Sequence, residues 1–135
     1  MRVRGLLAAP GLGLRLLTGG GGLERQITGV FTTDLANPRR YLSGGELVLT
    51  GLMWWHGPAD SAGFASALAE AGVAALAAGD AALGSVPDDL VAACRRHGLP
   101  LLEVPVDVSF AAITELVLAE RLPRLAAARP PGEQG

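Results

Sequence analysis

Three places in this 135-residue chain set hydrogen-bonding groups directly behind an apolar run: Thr50-Gly51, Gly79-Asp80 and Pro105-Val106-Asp107. A hydroxyl, two carboxylates and glycine backbone that allows close approach are the parts of a site for a small polar molecule. On spacing alone a simpler account competes with that one. Thr50 would cap a strand, and Asp80 and Asp107 would be solvated loop residues. Met53-Trp54-Trp55-His56 follows Gly51 directly and holds both tryptophans of the chain. Aromatic faces stack on planar heterocycles. Adjacent side chains cannot both face one sheet, so one core Trp and one covering Trp compete evenly with a binding or dimer role. His56 has no obvious partner near it in sequence, which suggests an exposed loop residue.

Other groups that do chemistry are sparse. The two histidines are His56 and His97, and His97 falls at a helix end where it can cap carbonyls. No HExxH, paired CxxC, GxSxG or Walker pattern occurs. Asp34, Glu46, Asp80, Glu103, Asp107 and Glu115 could supply a carboxylate pair, but spacing singles none out. A metal would have to rely on carboxylates alone, so neither a metal nor a cofactor is expected, and the chain reads as a non-enzyme. Cys94 lies on the apolar face Leu90-Val91-Ala92-Ala93-Cys94 and reads as a small buried hydrophobe rather than a nucleophile. Four glycines, Gly19 to Gly22, invite a phosphate-loop reading. No Lys-Ser or Lys-Thr follows them, so a hairpin turn is preferred.

The elements that position these groups alternate. Residues 3–8 suggest a short helix, and 14–18 and 26–32 two strands around the glycine run. Asn37-Pro38 reads as a helix start, with a single turn over 39–42. The run Gly44-Gly45-Glu46-Leu47-Val48-Leu49-Thr50-Gly51 is a buried strand entered and left through turns. Pro58 opens a helix to about 71, closed by Gly72, and Pro87-Asp88-Asp89 opens another to Arg96. Apolar runs at 73–77 and 101–104 supply two more strands. Ser109 caps a last helix to 121 or beyond, where Pro123 would kink or stop it. Three short apolar runs separated by helices indicate parallel βαβ units buried on both faces. The expected architecture is α/β: a small three-layer parallel βαβαβ core, an N-terminal β-hairpin extension and a C-terminal helix. Residues 1–122 form the domain, and 123–135, rich in Pro and Gly, a linker or tail. Ligands of open α/β sheets bind beyond the C-terminal strand ends, which is where the three places above fall.

Composition bounds the function. Half of the residues are hydrophobic and 18% are charged, with a mean hydropathy of +0.37 and a pI of about 5.6. No run approaches the roughly 18 consecutive apolar residues of a membrane span. The apolar start is too short and broken for a signal peptide. A net charge of −2 argues against a nucleic-acid surface. A single cysteine permits no internal disulfide and fits a reducing cytoplasm.

Several blocks together resemble a known family. They are Val3-Arg4-Gly5-Leu6-Leu7, Gly11 to Gly19, Thr33-Asp34-Leu35 with Asn37-Pro38, Tyr41 to Gly51, Ala71 to Leu76, Gly98-Leu99-Pro100-Leu101-Leu102-Glu103-Val104-Pro105, and Val108 to Glu115. The chain is similar to the N-terminal domain of purine-catabolism regulatory (PucR-type) bacterial transcription regulators. The resemblance implies a cytoplasmic effector-sensing domain, normally followed by a helix-turn-helix absent from these residues. The implied effector is a purine or purine-breakdown product. It differs from many relatives in having Asp34-Leu35, Asn37-Pro38 and a single Thr50, and Met53-Trp54-Trp55-His56 is not a general family feature. The expected ligand-binding set is Thr33, Asp34, Glu46, Thr50, Gly51, Trp54, Trp55, Gly79, Asp80, Pro105 and Asp107. Expected partners are a small-molecule effector and a second copy in a homodimer, with no direct nucleic-acid contact and no membrane. A dimerisation or scaffold module without a ligand is the alternative, and a carboxylate-dependent hydrolase or isomerase a distant third.

Overall fold

The computed structural model describes residues 1–127, with side chains to residue 120. The elements in order are α1 (Val3–Leu7), β1 (Arg15–Thr18), β2 (Gly29–Thr32), β3 (Glu46–Thr50), α2 (Pro58–Ala71), β4 (Ala75–Gly79), α3 (Asp88–Arg96), β5 (Leu101–Val104) and α4 (Phe110–Ala127). Single 3-10 turns occupy Gly20–Gly22 and Arg39–Tyr41. The five strands form one sheet in the order β1-β5-β4-β3-β2. Strands β2 to β5 are parallel, and β1 runs antiparallel to β5.

Alternation along the strands splits the core into two layers, as a strand's twofold side-chain period requires. Val48, Leu76, Ala78 and Leu101 point toward α2 and α3, where they join Phe64, Leu68, Leu90 and Cys94. Leu47, Leu49, Ala75, Ala77, Leu102 and Val104 point to the other face, where Val3 and Leu6 of α1 and Ile113 and Val117 of α4 cover them. The fold is therefore α/β with three layers. The small residues of β4 suit a central strand against which helices pack closely from both sides.

The helices start and stop where local chemistry directs. Pro58 takes the first turn of α2, and Asp60 accepts the His56 N–H at 2.8 Å. Asp88 and Asp89 open α3, and Arg95 and Arg96 close it, matching the helix dipole at both ends. The Ser109 hydroxyl accepts the Ala112 N–H at 3.1 Å and starts α4. Helix α4 continues past position 123 to Ala127. The expected tail lies outside the described residues from 128 onward.

The N-terminal strands extend the parallel core as expected, but not as a hairpin. β1 takes one edge and β2 the opposite edge. The reason is the glycine run. Gly19 has φ +87°, and a Cβ there would collide with the Pro100 backbone. The chain thus turns tightly against Pro100, and the segment that follows is tied to the N-terminal residues by Arg4 N–H to Leu23 O (2.8 Å) and Ile27 N–H to Met1 O (2.8 Å). No helix among the described residues is long and apolar enough to cross a membrane.

Candidate functional site

Parallel strands β3, β4 and β5 end side by side, and a cavity of about 320 Å³ opens there. Gly51, Gly79, Asp80 and Pro105 supply its strand-end lining. Met53, Val106, Val108 and Phe110 add apolar walls. Met53 is 67% exposed and Val106 75% exposed. Phe110 is both a wall of the cavity and the first residue of α4. Its ring lies against Gly79, where an added Cβ would stand 3.2 Å from Phe110 Cζ.

A second group of the expected residues gathers at the ends of β2 and β3, beside the cavity rather than in it. Asp34 Oδ1 accepts the Thr50 hydroxyl at 3.0 Å, the Gly51 N–H at 2.9 Å and the Met53 N–H at 3.3 Å. Thr50 is fully buried, and its oxygen also accepts the Trp54 indole N–H at 3.0 Å and the Leu52 N–H at 3.3 Å. Trp54 is a core residue, stacked on Phe64 with ring centroids 4.2 Å apart. These bonds hold Leu52 at φ +66°, the one non-glycine residue with positive φ among the described residues. A side chain in that region costs about 1–2 kcal/mol, and burial of the leucine offsets it.

The remaining expected residues are placed as follows. Trp55 donates its indole N–H to Asp89 at 2.9 Å, and Asp89 also accepts the buried Ser61 hydroxyl, joining the loop after β3 to both helices. Thr33 is buried, and its oxygen accepts the Leu35 N–H at 3.0 Å. Glu46 sits at the far end of β3, accepting the Ser43 N–H at 2.7 Å, the Gly44 N–H at 2.8 Å and the Ser43 hydroxyl at 3.2 Å. Desolvation works to raise its pKa. Hydrogen bonds from the backbone N–H groups of Ser43, Glu46 and Gly44 and from the Ser43 hydroxyl outweigh it, holding the carboxyl below its usual value. Asp107 is exposed and outside the cavity lining. Of the eleven expected residues, the structure brings four together around the cavity.

Sequence reasoning did not single out Phe110, Val104, Val108, Ala81 or Ala82 as lining, because apolar side chains carry no chemical signature. The position of Phe110, directly after a helix cap and one short loop beyond β5, was the available signal.

Groups suited to covalent or metal chemistry lie elsewhere. Cys94 is fully buried, and burial pushes its thiol up to about 12. His56 Nδ1 lies 3.0 Å from the Trp54 carbonyl, on a largely exposed side chain. Among the described residues no group of three or more His, Cys, Asp or Glu could hold a metal ion.

Comparison with known proteins adds two findings. The model of the PucR, purine catabolism regulatory protein-like, family matches residues 5–120. The transcriptional activator PmfR of Paenarthrobacter nicotinovorans is 35% identical over 121 residues, which are 88% of this chain and 26% of that protein. The chain thus spans about a quarter of the length of this curated relative.

Proposed function

The chain belongs to the purine catabolism regulatory protein-like family, and from that premise we propose that it is the effector-sensing domain of a transcription regulator. The effector is a small nitrogen-rich metabolite, a purine or purine-breakdown product, held in the cavity at the ends of β3, β4 and β5. The observation that carries this reading is the double position of Phe110, which walls the cavity and begins α4. A molecule seated against Phe110 contacts the helix that leads out of the domain.

The cavity volume falls at the small end of the usual range for ligand sites, which suits a one- or two-ring molecule. Glycines at two strand ends let a flat ring approach the backbone closely. Signalling follows from population shift. An effector that binds one position of α4 better than another biases the helix by that difference in affinity. Ile113 and Val117 anchor the helix to the sheet. The signal passes to a DNA-binding region outside this chain.

The test is thermal shift of this chain against a panel of purines, ureides and related nitrogen metabolites, with tryptophan fluorescence as a second readout. The expected result is a saturable rise in Tm for at least one compound, lost in Phe110→Ala. A flat panel, with a Tm that climbs with protein concentration, would replace the sensor by a dimerisation module.

A further inference from the structure

We propose that the cavity selects its ligand by charge, taking small planar molecules that present N–H donors, cations before neutral compounds and both before anions, with Asp80 as the specificity-determining residue. This rests on the reading of the cavity as the effector site, and it narrows the ligand class that reading allows.

Among the described residues, Asp80 is the only ionisable side chain in the cavity lining, with no Arg and no His beside it. Its carboxylate also has no internal partner. Asp34, Asp60 and Asp89, on the same side of the sheet, each accept at least one hydrogen bond from a neighbour. No hydrogen bond or ion pair engages the Asp80 side chain among the described residues, although its backbone carbonyl accepts the Gly84 N–H at 2.7 Å. Asp80 shares the cavity lining with Val104, Pro105, Val108 and Phe110. In such surroundings a charge is worth more than in water, and an anion placed beside it would be both repelled and poorly solvated.

The surrounding field has the same sign. The loops that follow β3, β4 and β5 and the helix starts after them carry Asp60, Asp80, Asp88, Asp89 and Asp107, against His56 alone on the basic side. Arg15, where β1 begins beside the end of β5, is paired with Glu103 at 2.9 Å. The start of α4 supplies an opposing positive end. Ser109 already caps it, and a helix end acts as only about half a unit charge. Negative potential over the mouth raises the local concentration of cations and lowers that of anions.

Three probes of nearly one shape separate charge from fit: benzamidine, benzamide and benzoate. Binding to this chain is followed by amide NMR shifts of Gly51, Gly79 and Asp80. Benzamidine is expected to bind tightest and benzoate weakest, with at least about a tenfold span between them. In Asp80→Asn the span collapses while benzamide is unaffected, which also shows that the variant is folded. Benzoate binding as well as benzamidine, with shifts at the cavity, would overturn charge selection and leave the cavity reading standing. A preference for benzamidine that survives Asp80→Asn would remove Asp80 from the role. No shift with any of the three probes would overturn the cavity reading, and this proposal with it.

Discussion

The C-terminal edge of the sheet has two halves built on opposite principles. Over β2 and β3 the polar side chains beside the cavity are spent on internal bonds. Asp34, Thr50 and Trp54 form one hydrogen-bonded brace, with Leu52 held in a left-handed turn at its centre. Over β4 and β5 the groups are left open: Gly79 without a side chain, Asp80 without a partner, Val106 exposed, and Phe110 half-buried against a void. Rigid support on one side and an unfilled, partly apolar space on the other are what a binding site on a small scaffold needs. Gly51 belongs to both halves. Its N–H is fixed by Asp34, and it also lines the cavity.

The comparison predicts that substitutions in the braced half cost stability, and those in the open half cost binding. The largest effect is expected for Trp54→Ala, which removes a buried indole stacked on Phe64 and leaves a hole in the α2/α3 layer. Urea unfolding should show a loss of about 3–5 kcal/mol. Next comes Asp34→Ala, which strips the Thr50 hydroxyl and two N–H groups of their acceptor. A loss of about 2–3 kcal/mol is expected, since hydrogen bonds to a charged acceptor are the stronger kind. In a double-mutant cycle with Thr50→Val the two losses should fall short of their sum, because both variants break one network. Full additivity would show that the brace is only a set of neighbours.

The sequence made much of this frame legible. Apolar runs between helices marked β3, β4 and β5, and the general rule for parallel sheets pointed to their C-terminal edge. Which polar group serves which half was not legible. Thr50 and Asp80 both follow an apolar run. Thr50, however, is on the strand's own alternation and turns toward α2 and α3, whereas Asp80 lies one residue past its strand and escapes it. Asp34 and Thr50 meet across sixteen residues, a distance that spacing cannot resolve without a register. The same gap explains the hairpin. Local alternation identified β1 and β2 as strands but not their partners: they take opposite edges, and Gly19 turns closely against Pro100.

Two smaller effects sharpen the contrast. Gly79→Ala pushes a methyl to 3.2 Å from the Phe110 ring. The backbone there is not left-handed, so the cost is steric alone, at about 1 kcal/mol, the low end for overpacking beside a void. Calorimetric titration with any ligand found in the panel should lose affinity out of proportion to that cost. Glu46, at the opposite end of β3, tests the far edge. Its folded pKa is lowered, so its contribution to stability is present above the unfolded value of about 4.3 and is lost as pH falls through the lower folded value. In Glu46→Gln the decline of Tm below about pH 4.3 should therefore be shallower than in the parent chain, with no change in ligand binding.

The smallest effect on stability, and the sharpest separation of the two halves, is expected for Asp80→Asn. The side chain has no internal partner to lose, and it is only half-buried. Unfolding free energy should stay within about 0.5 kcal/mol of the parent, as for a surface exchange. Asp34→Asn is the matching exchange in the braced half. The amide keeps an oxygen for one or two of the three donors, but it surrenders the charge that strengthens each bond. One carboxylate-to-amide step thus reads out both halves, measured by urea unfolding for stability and by benzamidine titration for binding. Loss of stability without loss of binding preference at position 34, and the reverse at position 80, is the expected pattern. If Asp80→Asn destabilises the domain as much as Asp34→Asn does, Asp80 is a structural group, and the division of the edge into a brace and an open site fails.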